Sequence, residues 1–510
     1  MKMSGAQAMA ECLKEQGVDT LFGYPGGTIL PFYDALYDSG IRHVTAAHEQ
    51  GAIHSADGYA RASGRVGVCI ATSGPGATNL TTGLAAAYLD SVPLVAITGQ
   101  VPVGLIGRDA FQEVDIIGIT LSVTKYSVQV KRPEKLVETL RLAMQVAASG
   151  RPGPVLVDVP RDIQTASVDY EAPKALEKGQ ERSLTGSQER LLDQAAALLM
   201  AAKRPLILSG GGVLTAKAQT SCRQMAEKND LPLVTTLMGA GVLPDGHHLA
   251  LGIVGVSGNT AANAALKEAD LILALGCRFS EQTISKDALP LNAAILHLDI
   301  DPAELERRLP AALALAGDLR LLIPALTQRL PEGRRELCFA AREAEALLSL
   351  EDEPLDWAWL FAWLGRRLQS EAVGVIALEP EGWHKEAFHG LSSTEQTLLF
   401  PGGLGCRGYA LPAALGAQLA APERTVIAFC GLEGLLRSGN ELYTLAAQGL
   451  PVLSVVLTEE EDASAFLQMA QAYGMNGQQA KTRQELIDAW EAAWKNKAPQ
   501  MLLLQGRGGG

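Results

Sequence analysis

Short apolar runs rich in β-branched residues alternate along the chain with longer stretches of helical period. The runs that predict strands span residues 66–71, 93–97, 154–158, 205–208, 271–275, 426–429, 452–457 and 499–504. This alternation is typical of parallel sheets with helices on both faces. It predicts an α/β chain built from doubly wound domains, each with its own parallel sheet.

Two polar stretches divide this pattern into three units. The segment from Tyr170 to Thr185 is polar and lacks sustained period, and the charged stretch 331–335 marks a second boundary. With 510 residues, the chain is long enough for about three domains of roughly 150 residues each. The predicted domains are residues 1–165, 186–335 and 353–510.

Charge and cysteine usage exclude several classes of function. The net charge is -13 and no basic stripe is present, so nucleic acid is not an expected partner. Seven cysteines are scattered singly without CxxC spacing, which is typical of reduced thiols. The chain shows no signal-peptide pattern and no uninterrupted apolar run of about 18 residues. We therefore expect a cytoplasmic location, no membrane contact and a small-molecule substrate.

Several short motifs are concentrated in the first third of the chain, at residues 22–27, 48–52, 57–61, 74–79, 109–115 and 151–155. Together they resemble the pyrimidine-binding domain of acetolactate synthase catalytic subunits, and the resemblance continues at 299–304, 402–405 and 411–414. It thus spans nearly the whole chain. The resemblance implies a thiamine diphosphate (ThDP) fold with pyrimidine, central and pyrophosphate domains. It also implies a homodimer or homotetramer, while nothing in the sequence indicates a regulatory subunit.

The resemblance implies a catalytic site in the first domain. In this family the glutamate that matches Glu49 protonates the aminopyrimidine ring and drives formation of the thiazolium ylide. A carboxylate in a desolvated cleft has a raised proton affinity and can act as acid or base near neutral pH. Phe111, Gln112 and Lys125 match family residues that line the substrate cavity.

The resemblance further implies FAD in the central domain. Glycine turns at strand ends bring backbone amides close to a phosphate or ribose, and an arginine supplies fixed, charged donors. The residues that fall where the family contacts its flavin are Gly210, Gly211, Thr236, Leu237, Gly255, Val256, Gly276, Arg278, Asp299, Ile300 and Asp318. Ser257 and Gln282 stand where the family has a histidine and the arginine that grips a 2-oxo acid carboxylate. These two departures count against acetolactate-type carboligation.

The last third departs from the family where the ThDP diphosphate is held through a divalent cation, which needs oxygen ligands. Leu432 stands at the aspartate position and Glu459 at the asparagine position. Arg407 replaces the apolar residue beneath the thiazolium ring, where a fixed positive charge disfavours a cationic ring. These departures predict that ThDP and Mg²⁺ do not bind and that no metal site is present. They place Arg407 with Glu49 and Gln112 in a repurposed pocket.

Three functions follow from these observations. The first is an acetolactate-synthase-like flavoprotein that has lost ThDP and catalyses an FAD-dependent redox or oxygenase reaction on a small substrate. The second is a ThDP-dependent carboligase or decarboxylase of 2-oxo acids whose metal site is rebuilt from Glu433 and Glu459. The third is a non-catalytic structural or regulatory homologue. Retention of the Glu49 motif and the glycine turns favours the first.

Overall fold

The computed structural model describes residues 1–172, 183–244, 246–284, 293–332, 339, 353–369, 374–391, 397–460 and 463–507. These residues form three large parallel sheets flanked by helices, which confirms the predicted α/β class. Most of the polar segment after Tyr170, and residues 333–335 of the second boundary, lie outside the described residues. The domain limits 1–165, 186–335 and 353–510 therefore stay predictions.

The N-terminal unit is built on a six-stranded parallel sheet. Its strands are β1 (Lys2–Ser4), β2 (Thr20–Gly23), β3 (Arg42–Thr45), β4 (Gly67–Ala71), β5 (Leu94–Gln100), β6 (Tyr126–Gln129), β7 (Pro154–Pro160) and β8 (Ser167–Asp169). Its helices are α1 (Gly5–Glu15), α2 (Leu30–Tyr37), α3 (Glu49–Ser63), α4 (Pro75–Asn79), α5 (Thr81–Asp90), α6 (Ile116–Thr120), α7 (Leu136–Ala148) and α8 (Arg161–Thr165). The sheet order is β3-β2-β4-β5-β7-β6, and β1 and β8 form a separate antiparallel pair.

The central unit also has a six-stranded parallel sheet, in the order β11-β10-β9-β12-β13-β14. These strands are β9 (Pro205–Ser209), β10 (Leu233–Thr235), β11 (Ala250–Ile253), β12 (Leu271–Leu275), β13 (Ala294–Asp299) and β14 (Leu313–Ala316). The helices are α9 (Gly186–Ala201), α10 (Gly211–Thr215), α11 (Gln219–Lys228), α12 (Thr260–Glu268) and α13 (Leu319–Arg329). Strand β9 lies between β10 and β12, so the turns that follow these three strands meet at one edge.

The C-terminal unit has a seven-stranded sheet in the order β15-β21-β19-β18-β16-β17, with β20 also paired to β21. Its strands are β15 (Leu355–Asp356), β16 (Val375–Leu378), β17 (Thr397–Leu399), β18 (Val426–Gly431), β19 (Val452–Thr458), β20 (Asn476–Ala480) and β21 (Gln500–Arg507). Its helices are α14 (Trp357–Gln369), α15 (His384–Leu391), α16 (Ala410–Ala420), α17 (Leu432–Ser438), α18 (Glu441–Ala447), α19 (Ser464–Ala472) and α20 (Arg483–Lys495).

Helix α3 of the first unit packs directly on helix α16 of the third. A Cβ at Gly58 would lie 2.0 Å from the carbonyl oxygen of Ala413, and one at Gly416 would lie 1.8 Å from the carbonyl oxygen of Ser55. Only glycine allows the two backbones to approach so closely. The contact places the start of α3, and with it Glu49, beside the third unit.

Within the described residues, no helix is both long enough and apolar enough to cross a membrane. The cytoplasmic location stays a prediction.

Candidate active site

Glu49 is the first residue of α3 and is half-buried. Its Oε2 accepts a hydrogen bond of 2.9 Å from Nδ2 of Asn79 at the end of α4. Its Oε1 faces Gly76, where an added Cβ would lie 3.3 Å away. The carboxylate is therefore oriented through one oxygen, while the glycine leaves space beside the other.

Gln112 lies against the glycine turn that leads into α4. Gly74 has φ +59°, and a Cβ there would lie 2.8 Å from the carbonyl oxygen of Gln112. Gln112 itself has φ +58°, an uncommon conformation for a residue with a side chain. The structure thus brings Glu49, the 74–79 turn and Gln112 together, as the resemblance implies. Phe111 is 87% exposed in the single chain and is not part of a core.

Lys125 has contacts of a different kind. Its ammonium donates to the carbonyl oxygens of Val146 and Ser149 at the end of α7, the latter at 2.8 Å. Burial lowers its pKa, and the neighbouring Arg151 lowers it further. The ammonium therefore satisfies the carboxyl end of a helix, and the substrate contact of Lys125 stays a prediction.

The carboxyl ends of β16 and β18 form the corresponding edge of the third sheet. Glu379, which follows β16, is fully buried and accepts hydrogen bonds from the backbone amides of Gly408 at 2.8 Å and Ala410 at 2.7 Å. Burial raises the pKa of Glu379 to about 8, although these amides act in the opposite direction. Glu379 thus anchors the loop that carries Arg407 to the sheet edge.

Glu381 lies at the same edge and has an unsatisfied oxygen. Its Oε1 is buried and has no hydrogen-bond partner in the structure. Burial raises its pKa, whereas Arg407, the backbone amide of Gly434 and Arg437 oppose that shift. A Cβ at Gly431, the last residue of β18, would lie 3.2 Å from this oxygen. A buried carboxylate oxygen without a partner is unfavourable, so Glu381 offers a suitable ligand to a cation.

Arg407 is bonded to carboxylates from two other segments. Its guanidinium forms an ion pair with Glu433, the second residue of α17, and its Nη2 lies 3.8 Å from Oε2 of Glu381. The fixed charge predicted to oppose a thiazolium ring is therefore balanced by two carboxylates. This balance removes the electrostatic reason for excluding ThDP.

The two positions predicted to have lost metal ligands lie at this same edge. The Leu432 side chain is half-buried and packs against the core, so it offers no ligand. Glu459 is exposed and directly follows β19. Among the described residues, no group of three or more His, Cys, Asp or Glu side chains is arranged to hold a metal ion. At this edge the carboxylates of Glu381 and Glu433 are oxygen donors that both face Arg407.

The glycines assigned to a flavin site pack against each other. A Cβ at Gly210 would lie 2.1 Å from the carbonyl oxygen of Gly276, and one at Gly212 would lie 2.7 Å from the Cα of Gly276. Gly276 has φ +57°. These glycines allow close contact between the turns after β9 and β12, and this contact explains them without any ligand.

The other central residues lie along the same edge of the sheet. Thr236 follows β10, and its backbone amide donates to the carbonyl oxygen of Ser209. Asp299 ends β13 and is buried, and its Oδ1 accepts from the backbone amide of Asp301 at 2.9 Å. Asp318 caps α13. The remaining residues predicted to contact a flavin are placed as follows. Gly211 begins α10, and Leu237 follows Thr236. Gly255 has φ +97°, Val256 is 61% exposed and Ile300 is half-buried.

Arg278 is half-buried where the central unit meets the first. Burial lowers its pKa, and the nearby Arg151 lowers it further, whereas Asp90 and Glu304 oppose the shift. Arg151 itself bonds to Glu304 at 2.7 Å across the same boundary. Binding of a cofactor by Arg278 stays a prediction.

Family models match all three units. Residues 3–119 match the N-terminal TPP binding domain of thiamine pyrophosphate enzymes, residues 192–326 the central domain, and residues 382–461 the C-terminal TPP binding domain. Thiamine pyrophosphate is another name for ThDP. The chain therefore belongs to the thiamine pyrophosphate enzyme family.

Within that family, the chain is similar to acetolactate synthase large subunits. The chain is 39% identical to the acetolactate synthase isozyme 2 large subunit of Escherichia coli (strain K12), over 98% of this chain and 95% of the relative. It is 36% identical to a probable acetolactate synthase large subunit of Methanocaldococcus jannaschii, over 98% and 91%. These matches confirm the resemblance to acetolactate synthase catalytic subunits.

A solved structure supports the fold alone, because the sequence identity is only 24%. It is a thiamine diphosphate-dependent 4-hydroxybenzoylformate decarboxylase of Rhodococcus jostii RHA1, and the TM-score is 0.87. The alignment covers 99% of this chain and 100% of that one.

These matches correct the predicted function. The prediction of a flavin-dependent oxidoreductase is wrong, because the relatives are acetolactate synthases and the matching models describe ThDP enzymes. The predictions that FAD is the cofactor and that ThDP and Mg²⁺ do not bind are wrong for the same reason. The departures at Leu432 and Arg407 do not exclude ThDP, because only the fold brings the carboxylate partners of Arg407 into place.

Four residues of the site were not among the predicted site residues. Glu379 anchors the loop that carries Arg407, and no local signal marks it. Asn79 orients Glu49, and the 74–79 motif that contains it is visible in the sequence. Glu381 carries the unsatisfied oxygen and was seen only as part of a loop. Glu441 accepts from the backbone just before Glu49 across a long sequence separation, and no local signal marks it.

Proposed function

We propose that this protein is a ThDP- and Mg²⁺-dependent carboligase of small 2-oxo acids, of the acetolactate synthase type. The observation that carries the proposal is the Glu49 carboxylate, held through Oε2 by Asn79 and left open beside Gly76 at Oε1. The relatives at 36–41% identity are named acetolactate synthases, and this supports the same reaction class.

In this proposal Glu49 holds and moves the proton on which activation of the cofactor depends. Asn79 keeps the carboxylate in one orientation, since a fixed hydrogen bond restricts its side-chain rotation. ThDP, when bound, supplies carbanion chemistry that the protein itself lacks. Gln112 lies next to the turn that precedes Asn79 and is available to contact the substrate.

The third unit would hold the diphosphate end. Glu381 and Glu433 provide hard oxygen ligands of the kind that Mg²⁺ prefers. A homodimer or homotetramer is part of the proposal, and the exposed Phe111 would then lie at a site shared between subunits.

Simple decarboxylation of a 2-oxo acid is the second candidate. Gln282 stands at the position assigned to the arginine that grips a second carboxylate, and its side chain is neutral and exposed. Without a charged partner there, a second acid would be held less firmly, and the first product would leave instead of being condensed.

The test uses purified protein with ThDP, Mg²⁺ and pyruvate. Acetolactate is the product expected from carboligation, whereas acetaldehyde indicates decarboxylation. Glu49→Gln should lower the turnover rate by about 10²–10⁴-fold without changing the melting temperature appreciably. Failure of the protein to bind ThDP in calorimetry, together with no turnover of several 2-oxo acids, would refute the proposal.

A further inference from the structure

Arg407 stands where its own loop meets the loop after β16 and the start of α17. It lies two residues after Gly405, which has φ +70°, and directly before Gly408, which has φ +87°. The guanidinium is paired with Glu433 on the α17 side and with Glu381 on the β16 side. We call Arg407, Glu381 and Glu433 the carboxylate–arginine cluster. Arg407 and Glu433 lie within residues 382–461, which match the C-terminal TPP binding domain, and Glu381 directly precedes this range.

The ion pair between Arg407 and Glu433 is accessible to water, since the two side chains are 38% and 59% exposed. Ion pairs of this kind contribute little to stability, because water and salt screen them. The contact with Glu381, whose side chain is only 13% exposed, is shielded but long, at 3.8 Å. Arg407 can therefore leave Glu433 at low cost when a ligand with more negative charge arrives.

The cluster is also incomplete as it stands. Oε1 of Glu381 is buried and has no hydrogen-bond partner, and Arg407 lies on the side of the other oxygen at 3.8 Å. Gly431 has no side chain to fill the space beside Oε1. The Arg407 guanidinium thus neutralises the site without satisfying it, whereas a divalent cation bound to Glu381 would do both.

We propose that Arg407 is an exchangeable counter-ion of the cofactor site. When ThDP binds, Arg407 moves from Glu433 and Glu381 to the diphosphate of ThDP, and both carboxylates become available to the divalent cation. The inference rests on the proposed function, since it assumes that ThDP binds. A guanidinium offers paired donors that match phosphate oxygens, which an apolar residue at this position could not provide. Arg407 is a binding residue in this scheme.

The test measures binding rather than turnover. Calorimetry on the full-length protein gives the affinity for Mg²⁺ alone, for ThDP alone and for ThDP with saturating Mg²⁺. Removing the counter-ion with Arg407→Gln should weaken ThDP binding by about tenfold and strengthen Mg²⁺ binding in the absence of ThDP. Glu433→Gln should weaken Mg²⁺ binding and should lower ThDP affinity only when Mg²⁺ is present.

Arg507→Gln is the matched control, because Arg507 is an exposed arginine of the same unit, at the end of β21, and lies outside the cluster. It should change each affinity by less than about threefold if contact rather than general charge is responsible. Arg407→Lys keeps the charge but loses the paired donors, so its ThDP affinity should fall between those of the wild type and Arg407→Gln. It also serves if Arg407→Gln does not fold, as judged by circular dichroism.

Two negative results have different meanings. If the wild type binds ThDP and the Arg407 variants bind ThDP and Mg²⁺ with unchanged affinity, the exchange is refuted while the proposed function stands. If the wild type binds no ThDP at any Mg²⁺ concentration, the proposed function fails, and the exchange fails with it.

Discussion

The Glu441 carboxylate accepts a hydrogen bond of 3.1 Å from the backbone amide of Ala47, although 394 residues separate the two in sequence. The same oxygen accepts from the amide of His48 at 3.2 Å. Glu441 is fully buried, and burial raises its pKa while the hydrogen bonds from Thr444 and these amides oppose the shift. The third unit therefore fixes the backbone on which Glu49 stands.

Glu441→Ala should destabilise the protein by about 1–3 kcal/mol, because it leaves partly buried amides without an acceptor. It should also lower kcat, since the start of α3 loses its support. Chemical denaturation checks the first effect and steady-state kinetics the second. Glu11→Gln, which removes an exposed carboxylate paired with Lys14, is the control and should change neither. Equal stability of the Glu441 variant and the control would contradict this assignment.

Asn79→Ala should lower kcat by roughly tenfold or more while leaving ThDP affinity nearly unchanged, because it removes the orienting hydrogen bond of Glu49 and no charge. Kinetics together with calorimetry distinguish this role from a structural one, because a disrupted fold would also weaken ThDP binding and lower the melting temperature. An unchanged kcat, or an equal loss of kcat and ThDP affinity, would contradict the orienting role of Asn79.

The strands were predictable because each is a short apolar run, flanked in sequence by segments whose apolar residues recur with helical periodicity. The run 205–208 became Pro205–Ser209, and 271–275 became Leu271–Leu275. Contiguous residues carry this signal, and burial on both faces of a parallel sheet makes it strong. The Glu49 and 74–79 motifs were recognisable for a similar reason, since each is a continuous stretch.

The electrostatic state of the third unit was not predictable in this way. Arg407 obtains its partners from the loop after β16 and from the start of α17, and only the fold brings these segments together. The glycine turn beginning at Gly210 was misleading for another reason. Glycine is required equally where a backbone approaches a phosphate and where two backbones approach each other, so sequence alone could not distinguish these uses.

Gly276→Ala should therefore destabilise the central unit in the absence of any cofactor. A Cβ there would lie 2.6 Å from the Cα of Gly212. Gly150 is the matched control, since its φ is +55° against +57° for Gly276 and nothing lies within 4 Å of its Cβ position. The control should lose about 1 kcal/mol from backbone strain alone, and Gly276→Ala should lose clearly more. Similar melting temperatures for the two variants would show that the close packing is unimportant.

His54 should make the protein less stable in acid. It is fully buried on α3, its ring meets Tyr409 at 5.3 Å between centroids, and neither ring nitrogen has a hydrogen-bond partner in the structure. Burial lowers the pKa of His54 from 6.5 to about 4. The folded state thus binds fewer protons than the unfolded state between these values. Its contribution is intact above pH 6.5 and is lost as the pH falls towards 4, by about 3 kcal/mol in total.

His54→Phe removes the titrating group and keeps an aromatic ring against Tyr409. The difference in unfolding free energy between pH 7 and pH 5 should therefore shrink in this variant. It should not vanish, because burial also lowers the pKa of His43 to about 4. If His54→Phe retained the full loss of stability in acid, the penalty for protonation would have to lie with other groups.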